Sequence, residues 1–214
     1  MKIQRVVSNL LQSNFYIINE NKNNILVDPA IASDICINGL VDYILLTHEH
    51  YDHISGVNYW KRLFPCAKVF CSFKSFENIS NPRKNASIHF DAFCQIQTMI
   101  KDQLPLKNTA YSCTADEFFC GFKTIKWGKH IINAFHTPGH SEGSTIFLID
   151  NEILFSGDTI FKNYKTQTRL YSTGNLDFKD ITMPILKNLD KNILVYPGHF
   201  ESFSLKDAYF MKGE

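Results

Sequence analysis

Thr47-His48-Glu49-His50-Tyr51-Asp52-His53-Ile54-Ser55-Gly56 holds three of the chain's eight histidines and two acids between positions 48 and 53. It follows Val41–Thr47, V-D-Y-I-L-L-T, whose solid apolar centre reads as a strand buried on both faces. A helix is expected to start near Ile54 or Ser55 and to run to about Phe64, before Pro65. On a regular strand His48 and His50 share one face. Asp52 lies between the second and third histidines, at the junction where the strand gives way to the helix. Ordinary core or surface histidines have no reason to crowd in this way. A divalent cation relieves the charge and desolvation problem of four such groups.

Three more candidates lie far along the chain. His140 closes H-T-P-G-H, Asp158 closes I-L-F-S-G-D, and His199 closes I-L-V-Y-P-G-H. Each sits just past a predicted strand and beside a glycine, so one edge of the fold could present them all. The total is five imidazoles and two carboxylates. A tetrahedral metal takes about four ligands, water included. Seven protein ligands therefore suggest two metals that share one carboxylate and one hydroxide. Zinc suits this donor set, and iron and manganese also fit it.

The remaining pattern gives the architecture. Strands are expected at Asn14–Asn19, Ile25–Val27, Ala67–Phe70, His130–Phe135, Ser144–Ile149, Ile153–Phe155 and Ile193–Tyr196, with helices at Phe73–Ile79 and Lys179–Leu189. Residues 66–115 are the least patterned and form the variable region, and Phe90–Gln103 supports no firm assignment. N-F-Y-I-I-N-E-N-K-N-N-I-L-V-D-P in the first half resembles S-T-I-F-L-I-D-N-E-I-L-F-S-G-D-T in the second. Each is strand, polar turn, strand, acid. Either two hairpins look alike by chance or the chain carries an internal duplication. A duplication gives an α/β fold in which two mixed sheets face each other with helices outside, a four-layer αββα sandwich. Residues 1–214 are read as a single domain.

Composition narrows the function. Hydrophobic residues make up 44% of the 214 and charged residues 20%, which fits a folded globule rather than a disordered chain. The formal charge of +1 offers no strong basic field for nucleic acid. No apolar run approaches the length of about 18 residues that spans a membrane, and no leader-like segment opens the chain. Six cysteines occur without a CxxC pair, so a reducing, cytoplasmic setting is the simplest expectation. The expected partner is a small-molecule substrate, without nucleic acid or membrane, for a monomer or homodimer.

The ordered set T-H-E-H-Y-D-H, T-P-G-H, S-G-D-T and Y-P-G-H resembles the metallo-β-lactamase-fold hydrolases, from about Asn14 to His199. Y-P-G-H and S-G-D-T-I-F make the likeness greatest to the glyoxalase II-like, or hydroxyacylglutathione hydrolase-like, branch. The resemblance implies that His48, His50 and His140 bind a first metal. It implies that Asp52, His53 and His199 bind a second, and that Asp158 bridges the two. Asp52 and Asp158 would also serve the chemistry, in which a hydroxide between the metals attacks a small thioester, ester or lactone. A phosphodiester substrate, or a mononuclear iron enzyme that oxidises persulfides, are the alternatives. Only fifteen residues follow His199, where glyoxalase II carries a helical domain that helps to hold glutathione. That argues against glutathione recognition. Thr47 and Thr137 either hold ligands by hydrogen bonds or simply end their strands. Arg169, Tyr164, Tyr171 and Tyr196 are either substrate contacts or solvated loop residues.

Overall fold

Alternation along the strands sorts the apolar residues into three layers of packing. The computed structural model describes residues 1–30, 35–90 and 110–212. The first sheet runs, in spatial order, β1 (Lys2–Val7), β2 (Asn14–Glu20), β3 (Asn23–Val27), β4 (Leu40–Leu45), β5 (Lys68–Ser72) and β6 (Glu117–Phe119). Its first two pairings are antiparallel and its last three parallel. The second sheet contains β7 (Phe122–Trp127), β8 (His130–His136), β9 (Thr145–Ile149), β10 (Ile153–Gly157), β11 (Leu194–Pro197) and β12 (Phe203–Ser204), again neighbour beside neighbour. Only β10 and β11 pair in parallel there.

Odd and even positions of each strand point to opposite faces. Tyr16, Ile18, Ile25, Val27, Leu45 and Phe70 therefore meet Ile132, Phe147, Ile149 and Phe155 between the sheets. The intervening Phe15, Ile17, Leu26 and Ile44 face outward and pack on Val57 and Trp60, which lie on the helix α2 (Val57–Leu63). On the other side, Ile146, Leu148, Leu154 and Val195 pack on Leu186 of the helix Met183–Lys187. These three interfaces separate four layers, so the αββα sandwich of two mixed sheets is the fold. The pairing pattern of β1 to β4 (antiparallel, antiparallel, parallel) recurs from β8 to β11. The two similar hairpins occupy matching places in that pattern.

Several local expectations need correction. The helix expected from Ile54 or Ser55 is two helices, α1 (Tyr51–Ile54) and α2. The break falls at Gly56, whose N–H donates to the Pro29 carbonyl at 2.9 Å. A Cβ there would stand 2.5 Å from that oxygen, so only glycine allows this approach. Asp52 and His53 thus lie on α1, ahead of the expected start of the helix. The later helix starts at Gly174, five residues before the expected Lys179, and passes through a π-helical turn, Phe178–Thr182, before Met183–Lys187. Pro184 explains the turn, because it has no N–H for the carbonyl four residues back and its ring crowds that carbonyl. Strands β1, β6, β7 and β12 had no counterpart in the sequence reading. Most of Phe90–Gln103 lies outside the described residues. Among the described residues, all five cysteines are free thiols, and no helix is long and apolar enough to cross a membrane.

Phe147 is fully buried between the sheets, with its ring 6.3 Å from that of Phe70. Phe147→Ala should lower the unfolding free energy by about 3–5 kcal/mol, read from the midpoint of a denaturant titration at unchanged slope.

Candidate metal centre

Strands β3, β4, β10 and β11 end at one edge, and short backbone bonds fasten the sheets together there. The Thr145 N–H donates to Thr47 O at 2.7 Å, and the Asn14 N–H donates to Gly198 O at 2.6 Å. Gly157 ends β10 with φ of +48°, and a Cβ on it would stand 2.3 Å from Thr47 Oγ1. Glycine alone therefore lets β10 approach β4 closely enough to aim Asp158 at the histidines.

All seven side chains singled out from the sequence converge. His48, His50 and His140 form one group and Asp52, His53 and His199 another, each with its donor atoms within 4.8 Å of one another. His50 Nδ1 stands 3.0 Å from His140 Nε2, and His53 Nε2 stands 3.4 Å from His199 Nε2. Asp52 Oδ2 lies 3.4 Å from His53 Nε2 and 3.5 Å from His199 Nε2. Asp158 reaches both groups: Oδ2 is 3.5 Å from His140 Nε2 and 3.4 Å from His199 Nε2, and Oδ1 is 3.6 Å from His53 Nε2.

The far nitrogens explain why the near ones face inward. Thr47 Oγ1 gives its one proton to Asp28 Oδ2, so it accepts from His48 Nδ1 at 3.0 Å. His53 Nδ1 donates to Asp28 Oδ2 at 3.2 Å. His140 Nδ1 donates to the Gln167 carbonyl at 3.2 Å, and His199 Nδ1 to the Leu11 carbonyl at 3.1 Å. Four rings are thereby held with Nε2 turned toward the cluster, as in imidazoles that ligate metals. His48 Nε2 and Asp158 Oδ1 are buried without a hydrogen-bond partner. Buried polar atoms are seldom left so, and a cation among these lone pairs would satisfy both. The donor set fits a divalent metal of the zinc, iron or manganese kind.

Two supporting acids were missed in the sequence. Asp28 belongs geometrically to a third group with His48 and His53, but the Thr47 N–H and hydroxyl and His53 Nδ1–H already occupy its carboxylate. It positions ligands. Its place after β3 matches that of Asp158 after β10, which was the available signal. Glu49, 2% exposed, accepts from Ser141 Oγ at 2.8 Å, Asn78 Nδ2 at 3.0 Å and Ser75 Oγ at 3.2 Å. Ser75 and Asn78 lie on α3 (Phe73–Asn78), so Glu49 ties the His48–His50 segment to the His140 loop. Nothing in its spacing announced this. Thr47 holds a ligand in addition to following its strand. Thr137 is buried 3.5 Å from the Thr159 hydroxyl. His136 bonds the Glu142 carbonyl, His130 bonds Asp150, and Tyr171 bonds Asp177.

Charge divides the cluster. Burial drives His48 well below the ordinary histidine value and His140 down to about 4, so both rest neutral. Burial also opposes charge on His53, but Asp52, Asp158 and Asp28 outweigh it and raise His53 to about 9. His199 is likewise held well above its ordinary value, against burial, by Asp158 and Asp52. The two carboxyls are ionised despite burial: His53 and His199 pull Asp52 down, and His199 and His53 pull Asp158 well down.

Residues 8–199 match the family model of the Metallo-beta-lactamase superfamily, and the chain belongs to that superfamily. A probable metallo-hydrolase of Streptococcus pyogenes serotype M6 is 28% identical, over 96% of this chain and 86% of that protein. The hydroxyacylglutathione hydrolase of Dictyostelium discoideum is 25% identical, over 99% of this chain and 70% of its own length. Among solved structures, the BLEG-1 B3 metallo-beta-lactamase superposes with a TM-score of 0.78 at 23% identity, over 99% of this chain and 100% of that one. ETHE1 from Myxococcus xanthus gives 0.68 at 18% identity, over 97% and 81%. These superpositions show the shared fold.

Two predictions follow from the supports and the charges. Asp28→Ala and Glu49→Ala should each weaken zinc binding by about 10–100-fold, measured by competition with a chromophoric chelator, with circular dichroism to check folding. Zinc uptake should also release protons from His53 and His199 but none from His48 and His140. A raised pKa means a proton must leave, so affinity at the Asp52–His53–His199 group should strengthen as pH rises toward 9. His48 and His140, already neutral, should add no pH dependence to binding above neutrality. Calorimetry in buffers of different ionisation enthalpy separates the two.

Proposed function

We propose that this chain is a dinuclear metal-dependent hydrolase acting on a small thioester, ester or lactone. The observation that carries the reading is Asp158, whose two oxygens lie 3.4–3.6 Å from imidazoles of both groups. His48, His50 and His140 would hold one cation, Asp52, His53 and His199 the other, and Asp158 would contribute to both. Zinc is the proposed metal. A pair of divalent cations supplies a water acidified toward neutrality and a Lewis acid for a carbonyl oxygen.

The chain's own residues supply the rest. The convergent side chains are imidazoles and carboxylates, so water is the nucleophile and no acyl-enzyme is needed. Asp52 stays ionised, and its carboxylate can accept a hydrogen bond from that water and orient it toward the carbonyl. Four Nδ1 tethers keep the imidazoles from swinging as charge develops, which is the preorganisation that electrostatic catalysis requires. The relatives named hydroxyacylglutathione hydrolase support an acyl thioester as the first class to test.

Elemental analysis of protein purified without chelators should find about two zinc ions per chain, falling toward one in His53→Ala. Turnover of a thioester and lactone panel should drop at least about a hundredfold in that variant. One iron per chain with sulfide-dependent oxygen uptake, or no hydrolysis by zinc-loaded protein, would overturn the proposal.

A further inference from the structure

Beside the candidate metal centre stands a ring that the fold holds in an unfavourable backbone. Phe200 directly follows His199 and has φ of +69°. That left-handed conformation is uncommon for a bulky residue, and such outliers concentrate where function maintains them. Here its carbonyl is clamped by Arg5 Nη1 at 2.6 Å and Asn14 Nδ2 at 2.7 Å. Arg5 also pairs with Glu201 at 2.5 Å, which balances that carboxylate. Strain and clamp together do not bury the ring. Phe200 is 55% exposed, and Tyr164, stacked on it at 4.8 Å and 24°, is also 55% exposed.

The pair continues inward. Phe161 meets Phe200 edge-on at 5.9 Å, and the His199 ring lies 6.3 Å from Phe200. Phe161, Tyr164, His199 and Phe200 line one small cleft together. Phe161 and Tyr164 also line a second cavity of about 450 Å³, with Ile160, Phe178, Met183 and Phe210 among its apolar walls and the exposed Lys165 and Lys179 among its polar ones. An aromatic wall thus runs from a ligand histidine to a space large enough for a small organic group.

We propose that Phe200 and Tyr164 are specificity-determining residues that receive an apolar acyl body, aryl ahead of alkyl, while its carbonyl faces the metal centre. This rests on the hydrolase reading and adds its substrate class: arylacyl thioesters or esters rather than acetyl or strongly polar ones. Aromatic faces favour stacked or edge-on rings, and the open side of this pair offers both.

The test uses the full chain reconstituted with zinc, with phenylacetate and acetate as product probes in calorimetry. Wild type should bind phenylacetate at least about tenfold more tightly than acetate, a step of roughly 1.4 kcal/mol. In Phe200→Gly, which suits the left-handed backbone, that ratio should collapse toward one, and Tyr164→Ala should reduce it partway. Zinc content is measured in parallel. If Phe200→Gly loses metal, Tyr164→Ala alone decides, and an unchanged ratio there sinks the inference. Equal binding of the two probes by wild type also sinks it. Selective phenylacetate binding without hydrolysis of any thioester, ester or lactone would remove the hydrolase reading and leave the aromatic site standing. Hydrolysis with no preference between phenylacetyl and acetyl thioesters would do the reverse.

Discussion

Three donors meet on the carboxylate of Asp28: the backbone N–H of Thr47, the Thr47 hydroxyl and the Nδ1–H of His53. A carboxylate 2% exposed survives in the interior only when its lone pairs are occupied, and these three occupy them. The same bonds set the end of β4 against the end of β3. They fix the tautomer of His48 through the Thr47 oxygen and orient His53 directly. The approach of β10 depends on this knot as well, since Gly157 rests against the Thr47 side chain. The geometry of the cluster is thus decided in a shell of neutral and acidic groups behind it.

The two sheets contribute unequal parts of one edge. The first sheet gives four of the seven convergent residues within six positions, because β4 passes through the short connection 46–50 into α1. The second gives one residue after each of three strands, His140, Asp158 and His199. Side-chain contacts help the backbone bonds at this edge to keep the halves in register. Glu49 reaches across from the first half to Ser141 in the second, and Asn14 reaches from β2 to the Pro197 carbonyl at 2.9 Å. Both are buried polar contacts, which are directional and therefore specify alignment in a way that the apolar layer between the sheets does not.

Much of this was legible because the informative residues are local. Ile44, Leu45 and Leu46 are all fully buried, as expected of a central parallel strand, and each ligand motif marks the end of a strand with a glycine nearby. β1 was missed because Lys2–Val7, K-I-Q-R-V-V, is an edge strand whose residues are all exposed or half-buried, so its alternation is weak. β6 and β12 are too short, at three and two residues, to show a period. The π-helical turn follows from a single proline acting on the preceding turn, which pattern reading merges into a longer helix. Glu49 was hidden for another reason, and Asp28 showed only in the match between the two hairpins. Their roles depend on donors 19 to 92 residues away, and no spacing within a motif encodes that.

The pairing of His50 with His140 and of His53 with His199 joins positions 90 and 146 residues apart in sequence. A cation held between such partners acts as a crosslink as well as a reagent. Closing a loop of that length removes about 5 kcal/mol of the unfolded chain's conformational freedom, and the crosslink spans the seam between the two sheets. Occupancy of the centre would then add to the contacts that hold the sandwich shut along that seam, so binding at the site and stability of the fold would be linked.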